Sequence, residues 1–564
     1  MPDSELAAAA PAPTKPAVVP TLAKGFGTFA WWLPRGLRRF ALNVVLVLAP
    51  FVFAVQTGRI GIDFGNHWDE HLQCRLLART LKTGVLLPGV YNYPMVPYWL
   101  TWSALGFRSV FPSYQRGELM EDLTTGKLVQ ADTTALQRYV LEDHGFFLRV
   151  RSVFLVVSSL SVIWVYLLVL GWRRKVSEAF LAASFLCLSW EAAYHSRWIA
   201  PDQVMTSFGA LTMMFIMQVS VRRGPRQLYL YGATVAAAFA AGTKYQSALL
   251  VLPLVIVTYQ TRNRAQSLWA LLRELVGLGA LYTVAFVLIT PAAYLDPGRF
   301  VSWLALMRDW YKNGGHFGYD AEPGLPHLWQ ILMYLGGDYF SFLQPIALLL
   351  SAFVIVGAVD IIRESRQRAL AFLIVPVFYV LYMCTQRVLI VRNLLLVGPF
   401  LAIAAARGVA AALKLVKVRA GRWALGAAIG VVLVVNANWL YRAALSIPRS
   451  TPNLALQDLA HYVETQPTHY VYASPSVRRA LKALKLDSVR LAGTPQASQE
   501  WAFYPDDWAS FGNRPSNLPR FARTWFGPFE LNWNYYTNWA GSSRIVLVSA
   551  SRAAAQRVKL AGVP

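Results

Sequence analysis

Two adjacent carboxylates stand beside two histidines in residues 66–71, directly after the first long apolar run of the chain. The carboxylates are Asp69 and Glu70, with His67 and His71 around them, in a chain that has only 29 acidic residues among 564. A carboxylate where a membrane helix surfaces can act as a general base that takes a proton from an acceptor hydroxyl. We predict this role for Asp69, with Glu70 as a supporting or helix-capping residue.

Two other interpretations of the acidic pair stay open. Asp69 and Glu70 start a helical pattern, and acidic side chains in a first turn stabilise a helix by about 0.3–1 kcal/mol. His67, Asp69 and His71 can alternatively bind a divalent metal ion, since histidines at i and i+4 share a helix face. Asp69, at i+2, does not share that face. No cofactor is firmly predicted, and His67 and His71 otherwise remain possible acceptor-binding residues.

Further charged residues lie at the ends of apolar runs. Asp202 shares a short loop with Arg197, which suggests a polar pocket, although Asp202 can also simply solvate that loop. Lys244 lies between two tightly joined apolar runs, where it must either snorkel to the interface or bind an anion such as a lipid phosphate. Arg387 and Arg392 are predicted on the same side, and anionic recognition would explain arginines there. The five residues therefore form one candidate group.

Composition identifies the class of protein. Hydrophobic residues make up 56% of the chain and charged residues 15%, and the mean hydropathy is +0.39. Soluble domains carry about 25% charged residues, so we predict an integral membrane protein. The net charge of +24 lies mostly in short loops between apolar runs, a pattern that sets topology rather than nucleic-acid binding.

About eleven apolar runs are long enough to span a bilayer. They lie at 40–57, 147–171, 177–195, 203–220, 228–243, 245–260, 267–290, 329–359, 369–385, 389–413 and 423–442. With these spans, six basic clusters fall on one side, which the positive-inside rule makes the cytoplasm. The candidate residues then face the opposite side. Arg149, at the start of the second span, is another arginine on that external side.

The segment 94–111 tests this topology. It is apolar, but counting it as a span would turn the later basic loops outward. We therefore interpret it as an amphipathic helix on the outer membrane surface. The region 57–146 becomes one large external loop that carries the acidic pair.

Three regions follow from these patterns. Residues 1–39 read as a largely disordered cytoplasmic tail, and residues 40–445 as a transmembrane catalytic module. Residues 446–564 alternate helical and strand patterns and predict a small extracytoplasmic α/β domain. Its aromatic residues, Trp533 among them, suggest either glycan binding or ordinary core packing.

Several short motifs occur in a fixed order along residues 40–413. They are Asp69-Glu70, the proline-rich segment 93–99, an arginine-led second span, Pro201-Asp202, Thr243-Lys244-Tyr245, and the segment 392–400. In this order and spacing the chain resembles the GT-C membrane glycosyltransferases. The resemblance is greatest to the branch with protein O-mannosyltransferases and bacterial aminoarabinose transferases.

The resemblance implies a function and a location. It implies transfer of a sugar from a polyprenyl-phosphate donor to a glycan, lipid or protein acceptor, in a bacterial-type inner (cytoplasmic) membrane with an extracytoplasmic site. Asp69 matches the family's catalytic base, and Asp202 belongs to the same site. The expected donor-phosphate ligands are Lys244, Arg387, Arg392, Arg197 and Arg149, and Tyr93 and Trp533 join the possible acceptor-binding residues.

Two other functions remain as alternatives. A lipid-linked sugar transporter or flippase would need ionisable residues in mid-span and paired broken helices, and the sequence has few of the former. A lipid-binding scaffold for envelope assembly would not need the acidic pair. No P-loop and no G-x-G-x-x-G motif is present, so a bound phosphate is not expected to come from a cytosolic nucleotide.

Overall fold

The computed structural model describes residues 35–60, 62, 68–83, 85–106, 139–141, 143–221, 224–262, 267–314, 320–341, 343–446 and 451–465, with short stretches between 471 and 549. Contacts divide the chain into residues 1–46 and residues 47–564, with the boundary inside the first helix. The protein is mainly α-helical. The helices as far as the acidic and basic candidates are α1 (Arg35–Arg59), α2 (Trp68–Thr83), α3 (Val96–Ser103), α4 (His144–Arg173), α5 (Val176–Cys187), α6 (Trp190–His195), α7 (Pro201–Ser220) and α8 (Arg226–Thr243). The later helices are α9 (Val251–Thr261), α10 (Leu268–Ile289), α11 (Ala292–Leu295), α12 (Pro297–Asn313), α13 (Leu325–Gly337), α14 (Gln344–Glu364), α15 (Arg366–Cys384), α16 (Gly398–Leu415), α17 (Arg419–Ser446) and α18 (Thr451–Thr465).

The apolar runs form helices because a bilayer offers no partners for backbone N–H and C=O groups, which must bond within the chain. Among the described residues, seven helices are long and apolar enough to cross a membrane, and two shorter apolar helices accompany them. The chain is therefore a mainly α, multi-pass membrane protein. The total of about eleven spans stays a prediction. The seven helices begin at Phe40, Gly145, Leu268, Gln344, Arg366, Val391 and Arg419.

Two stretches of 3₁₀-helix interrupt the regular spans near the candidate residues. One is Tyr245–Leu250, directly after Lys244, and the other is Val391–Val397, whose seven residues are all buried. Irregular backbone at membrane depth is tolerated where it is buried in protein or lines a cavity. The two stretches therefore mark the part of the bundle where polar groups converge.

The described part of the segment 94–111, which ends at residue 106, contains a short helix. α3 has eight residues, so it is about 12 Å long and cannot cross the roughly 30 Å hydrocarbon core. Val96, Tyr98 and Thr101 of α3 are buried. Trp99 donates a hydrogen bond from Nε1 to the backbone oxygen of Ile289, 2.7 Å away. The helix thus packs onto the bundle.

Charged residues also meet at the predicted cytoplasmic end of the bundle. Arg407 on α16 is buried, and its guanidinium lies 3.5 Å from Glu178, 2.5 Å from Asp360 and 2.7 Å from Glu364. Arg173 at the end of α4 pairs with Glu178 and Glu364 as well. Ionisable residues within membrane proteins are normally paired in this way. The network ties α4, α5, α14 and α16 together.

Helices α14 and α16 approach each other closely at two glycines. A Cβ atom on Gly408 would collide with the backbone oxygen of Phe353, and one on Gly357 would collide with the backbone oxygen of Ala404. Small residues allow this approach in membrane helix pairs, where packing replaces the hydrophobic effect.

We expect Gly408→Ala to destabilise the protein by about 1–3 kcal/mol, because a backbone atom cannot move aside as a side chain can. Gly426 on α17 is a matched control, since no atom lies within 4 Å of the point that a Cβ atom would occupy there. Gly426→Ala should be neutral or stabilising by up to about 1 kcal/mol, from helix propensity. Thermal unfolding of both variants in the same detergent measures the difference, and equal transitions would contradict the close approach.

The C-terminal region contains a small mixed sheet beside α18. Its strands are β1 (Val471–Ala473), β2 (Glu500–Phe503), β3 (Arg520–Phe521), β4 (Trp525–Phe526), β5 (Phe529–Glu530) and β6 (Ile545–Ser549). The main sheet has the order β1-β2-β6-β3, with β1 and β2 parallel and the other pairs antiparallel. Strands β4 and β5 form a separate hairpin.

Helix α18 and the main sheet share a compact apolar core. Leu459 and Val463 of α18 pack with Val471, Ala473 and Ala502 of the sheet. Helix α18 and strands β1 and β6 lie within residues 446–564, where the sequence predicts alternating helices and strands. The strands between 500 and 530 were not predicted, because short strands in an aromatic-rich stretch lack a clear period-2 pattern.

Candidate active site

A buried ion pair joins the start of α7 to the end of α8. Asp202 lies in the first turn of α7, after a proline that favours the first helical position, and an acidic residue is favourable there. Lys244 follows the last turn of α8, where a cation is favourable for the same reason. Lys244 Nζ lies 2.5 Å from Asp202 Oδ1, and the two residues are 5% and 0% exposed. The two helix ends therefore bring opposite charges together.

The 3₁₀-helix Val391–Val397 adds two polar side chains to this pair. Arg392, 3% exposed, places Nε 3.7 Å from Asp202 Oδ2. Asn393 is completely buried and accepts a hydrogen bond on Oδ1 from Lys244 Nζ. Two cations thus share one carboxylate, which leaves the cluster with a net positive charge. We name Asp202, Lys244, Arg392 and Asn393 the cation cluster.

Three tyrosines lie around the cation cluster. The ring of Tyr93 has its centroid 6.0 Å from Lys244 Nζ. Tyr311 of α12 accepts a hydrogen bond from Asn393 Nδ2 at 3.0 Å, and Tyr379 of α15 donates one to the backbone oxygen of Asn393 at 2.6 Å. Of these, the sequence identified only Tyr93. The sequence did not identify Tyr311 and Tyr379 as site residues, because a tyrosine near a span end is most often an interfacial anchor.

Glu70 is engaged in a second buried ion pair. Arg151 of α4 donates to both its oxygens, from Nε to Oε1 at 2.8 Å and from Nη2 to Oε2 at 2.7 Å, and Ile199 N donates to Oε1 at 3.0 Å. The guanidinium carbon of Arg151 also lies 4.7 Å from the ring centroids of Phe147 and Trp198. Glu70 therefore fixes the first turn of α2, which also contains Asp69.

Removing the arginine from this pair should destabilise the protein strongly. Arg151→Met removes the cation that binds both oxygens of Glu70, and breaking a buried ion pair costs about 3–5 kcal/mol. Arg149 is the matched control, because it is exposed and its described contact is the ring of Tyr139. Arg149→Met should change stability by no more than about 1 kcal/mol. Denaturation followed by tryptophan fluorescence compares the two, and equal losses would show that the pair is not a structural anchor.

Arg197 is a buried cation with unused hydrogen-bonding capacity. It is 3% exposed and donates from Nη2 to the backbone oxygen of Thr57 at 2.9 Å. Its Nε and Nη1 have no hydrogen-bond partner among the described residues. Burial lowers the pKa of the guanidinium to about 10, so the group remains charged at neutral pH. A buried donor without a partner costs about 1–3 kcal/mol, which favours occupancy by water or an anion.

Other predicted residues lie apart from the cation cluster or outside the described residues. Arg387 is exposed, and its described hydrogen bonds run through its backbone. Arg149 is likewise exposed. His67 and Trp533 lie outside the described residues, as do the side chains of Asp69 and His71. Within the described part of the chain, no three His, Cys, Asp or Glu residues group as metal ligands, and the metal alternative at residues 67–71 stays a prediction.

Sequence reasoning also missed a buried cluster on α6. Glu191 is fully buried and accepts a hydrogen bond from the hydroxyl of Tyr334 at 2.9 Å on Oε2. His195 places Nε2 3.3 Å from the same oxygen. Glu191 and His195 lie inside the predicted span 177–195. The high average hydropathy of that span masks a short helix that carries a carboxylate and an imidazole on one face.

An apolar cavity of about 300 Å³ lies between α13, α14, α15 and α16. Leu335, Pro376, Val397 and Phe400 are among the residues that line it. Val397 belongs to the same 3₁₀-helix as Arg392. An apolar space thus begins within two turns of the cation cluster along the chain.

No protein-family model matches the chain, and no curated protein sequence matches it significantly. Solved structures do resemble it. A crystal structure of ArnT from Cupriavidus metallidurans bound to undecaprenyl phosphate is 13% identical, with a TM-score of 0.48, and 90% of this chain and 98% of that chain are covered. The oligosaccharyltransferase of Archaeoglobus fulgidus in its apo form is 12% identical, with a TM-score of 0.46 and coverages of 81% and 65%.

A further structure in this group is AglB from Archaeoglobus fulgidus in complex with an inhibitory peptide and a dolichol-phosphate. It is 10% identical, with a TM-score of 0.44 and coverages of 83% and 70%. At identities of 10–13% and TM-scores of 0.44–0.48, these likenesses concern the fold alone, and the resemblance to GT-C glycosyltransferases that the sequence motifs indicate stays a prediction.

Proposed function

We propose that the protein transfers a sugar from a polyprenyl-phosphate-linked donor to an acceptor on the extracytoplasmic face of the membrane. The cation cluster carries this proposal, because it is buried, has a net positive charge, and lies beside the two 3₁₀-helical stretches that interrupt the regular spans. Preorganised cations in a water-poor site stabilise a departing phosphate far better than cations in water.

The proposed reaction is a single displacement at the anomeric carbon. The acceptor hydroxyl oxygen forms a bond to this carbon while the bond from the carbon to the phosphate oxygen breaks. Asp69 takes the hydroxyl proton, and the phosphate leaves with the bonding electron pair toward Lys244 and Arg392. Attack opposite the leaving group inverts the configuration. Asp202 keeps both cations in place, and Arg197 is a further candidate for binding an anionic part of a substrate.

The apolar cavity supports a lipid-linked donor. Its volume of about 300 Å³ and its apolar walls suit several isoprene units. Because Val397 lines this cavity and belongs to the 3₁₀-helix of Arg392 and Asn393, one donor can place its tail there and its phosphate at the cation cluster. Burial of apolar surface would contribute about 25 cal/mol per Å² to donor binding.

We further propose the membrane arrangement that the basic loops predict. Residues 1–39 form a cytoplasmic tail, residues 40–445 the transmembrane module with its external loop 57–146, and residues 446–564 an extracytoplasmic α/β domain. The membrane is the bacterial-type inner membrane. Reporter fusions after residues 120, 174 and 450 test this arrangement, and a cytoplasmic signal at 120 or 450 would contradict it.

The function is tested with purified protein in liposomes that contain radiolabelled polyprenyl-phosphate sugars and an envelope extract as acceptor source. We expect label to move covalently onto an acceptor, with release of the polyprenyl phosphate. Movement of the lipid-linked sugar across the bilayer without release of the sugar would instead identify a flippase. Binding of the lipid without either outcome would identify a scaffold.

A further inference from the structure

The side chain of Asn393 bridges the cation cluster and an external helix. Its Oδ1 accepts a hydrogen bond from Lys244 Nζ, and its Nδ2 donates one to the hydroxyl of Tyr311 at 3.0 Å. The backbone oxygen of Asn393 accepts the hydroxyl of Tyr379 at 2.6 Å. Asn393 is thus held on both its side chain and its backbone, in a position that is completely buried.

These partners allow the amide only one orientation. An amide carries an acceptor on one side and donors on the other, and an ammonium can only donate. Turning the amide over would place its N–H groups against the ammonium of Lys244. The oxygen therefore faces the lysine and the nitrogen faces Tyr311.

The same contacts fix the lysine. An ammonium has three N–H donors, and hydrogen bonds from Lys244 reach Asp202 Oδ1 and Asn393 Oδ1. Among the described residues, its third contact is only the ring of Tyr93, at 6.0 Å. With two donors held by oxygens on two different helices, the third donor has a defined direction. It can then bind a phosphate oxygen without reorganisation of the site.

Tyr311 is itself held by the backbone around it. Its backbone oxygen accepts the N–H of Arg387 at 2.8 Å, and the N–H of Ala321 donates to the backbone oxygen of Arg387 at 2.8 Å. The N–H of Gly324 donates to the backbone oxygen of Cys384 at 2.8 Å. The end of α12 and residues 320–324 are therefore joined to the strand-like segment that leads into the 3₁₀-helix of Asn393.

We propose that Asn393 is the positioning residue for Lys244 and that Tyr311 holds the Asn393 side chain in place, so that binding of the donor phosphate depends on the docking of external helix α12. This inference rests on the proposed function for the identity of the ligand, a polyprenyl phosphate. Asn393 and Tyr311 act through Lys244 and need not touch the reacting atoms.

The test measures donor binding and transfer separately. Binding of undecaprenyl phosphate is followed by its stabilisation of the purified protein against heat, which requires no sugar transfer. We expect Asn393→Ala to weaken this binding about 10- to 100-fold, the equivalent of a lost hydrogen bond to a charged group. Tyr311→Phe should weaken it about 3- to 10-fold. The donor KM should rise by similar factors, with the acceptor KM unchanged.

Two further variants distinguish positioning from a purely structural role. Asn393→Asp keeps the shape of the side chain but places a second carboxylate on Lys244, so it should weaken phosphate binding at least as much as Asn393→Ala. In the double variant Asn393→Ala with Tyr311→Phe, the two effects should be less than additive, because Tyr311 acts through the amide.

Matched controls use similar residues elsewhere. Asn436 is also a buried amide, which accepts from Ser341 Oγ at 2.6 Å and donates to Phe340 O at 3.2 Å. Asn436→Ala should lower thermal stability without changing phosphate affinity. Tyr294→Phe changes an exposed tyrosine near the same external segment and should change neither quantity.

The outcomes for the inference and for the function are separable. If the wild type transfers sugar but Asn393→Ala and Tyr311→Phe bind undecaprenyl phosphate as tightly as the wild type does, the inference is wrong. If the wild type transfers no sugar, yet these variants lose lipid binding in the expected order, the transferase function is wrong and the positioning role stands.

Discussion

Asp69→Asn is expected to lower the rate of sugar transfer about 100- to 10,000-fold, the range that a positioned general base contributes. The amide keeps the size of the side chain but cannot take the proton of the acceptor hydroxyl. Binding of the donor lipid should change little, because its phosphate is assigned to the cation cluster. The rate is measured in liposomes with saturating donor and acceptor, so that the loss is read in kcat.

Glu70 provides the control for this change, since it is the neighbouring carboxylate with a different role. Glu70→Gln should weaken the bidentate contact with Arg151 and lower thermal stability, whereas Asp69→Asn should leave stability close to that of the wild type. Transfer by the folded fraction of Glu70→Gln should exceed that of Asp69→Asn. Full activity of Asp69→Asn, or a larger loss for Glu70→Gln, would remove Asp69 as the base.

The long apolar helices could be predicted from the sequence, because they depend on local composition. An apolar run of about 18 or more residues has to become a helix in a bilayer, so the runs at 40–57, 147–171 and 369–385 coincide with α1, α4 and α15. The sequence also indicates that Lys244 has an anionic partner, because an unpaired lysine in hydrocarbon is costly. Its position between two tightly joined runs located it near a span end.

The partners of these residues were not predictable, because they depend on how distant helices pack. Asp202 and Lys244 are 42 positions apart, and Lys244 and Asn393 are 149 apart. No local pattern encodes such a pairing. Similarly, the sequence predicts a supporting or helix-capping role for Glu70, but it does not reveal the partner Arg151, which lies 81 positions away. Arg387 and Arg392 looked alike in sequence, yet one is exposed and the other is buried.

Lys244→Met is the second change with a large expected effect. It removes the cation that donates to Asp202, and it should lower kcat/KM for the donor about 100- to 1,000-fold, the range seen when one electrostatic stabiliser of a transition state is lost. Methionine retains most of the apolar volume of the lysine stem, so the loss reflects charge rather than a cavity. The donor lipid should also bind more weakly, which thermal stabilisation by undecaprenyl phosphate measures independently of transfer.

The partner variant Asp202→Asn tests whether the two residues act as one unit. Asp202→Asn removes the carboxylate that Lys244 and Arg392 share, whereas Lys244→Met leaves Asp202 with Arg392 as its cation. Breaking a buried pair costs about 3–5 kcal/mol of stability. In Lys244→Met with Asp202→Asn, neither charge remains, so the double variant should be more stable than the sum of the single losses implies. Its transfer activity should nevertheless stay as low as that of Lys244→Met, because the cation is still missing. If Asp202→Asn restored activity to Lys244→Met, or if the two stability losses simply added, Lys244 would have no role as a phosphate-binding cation held by Asp202.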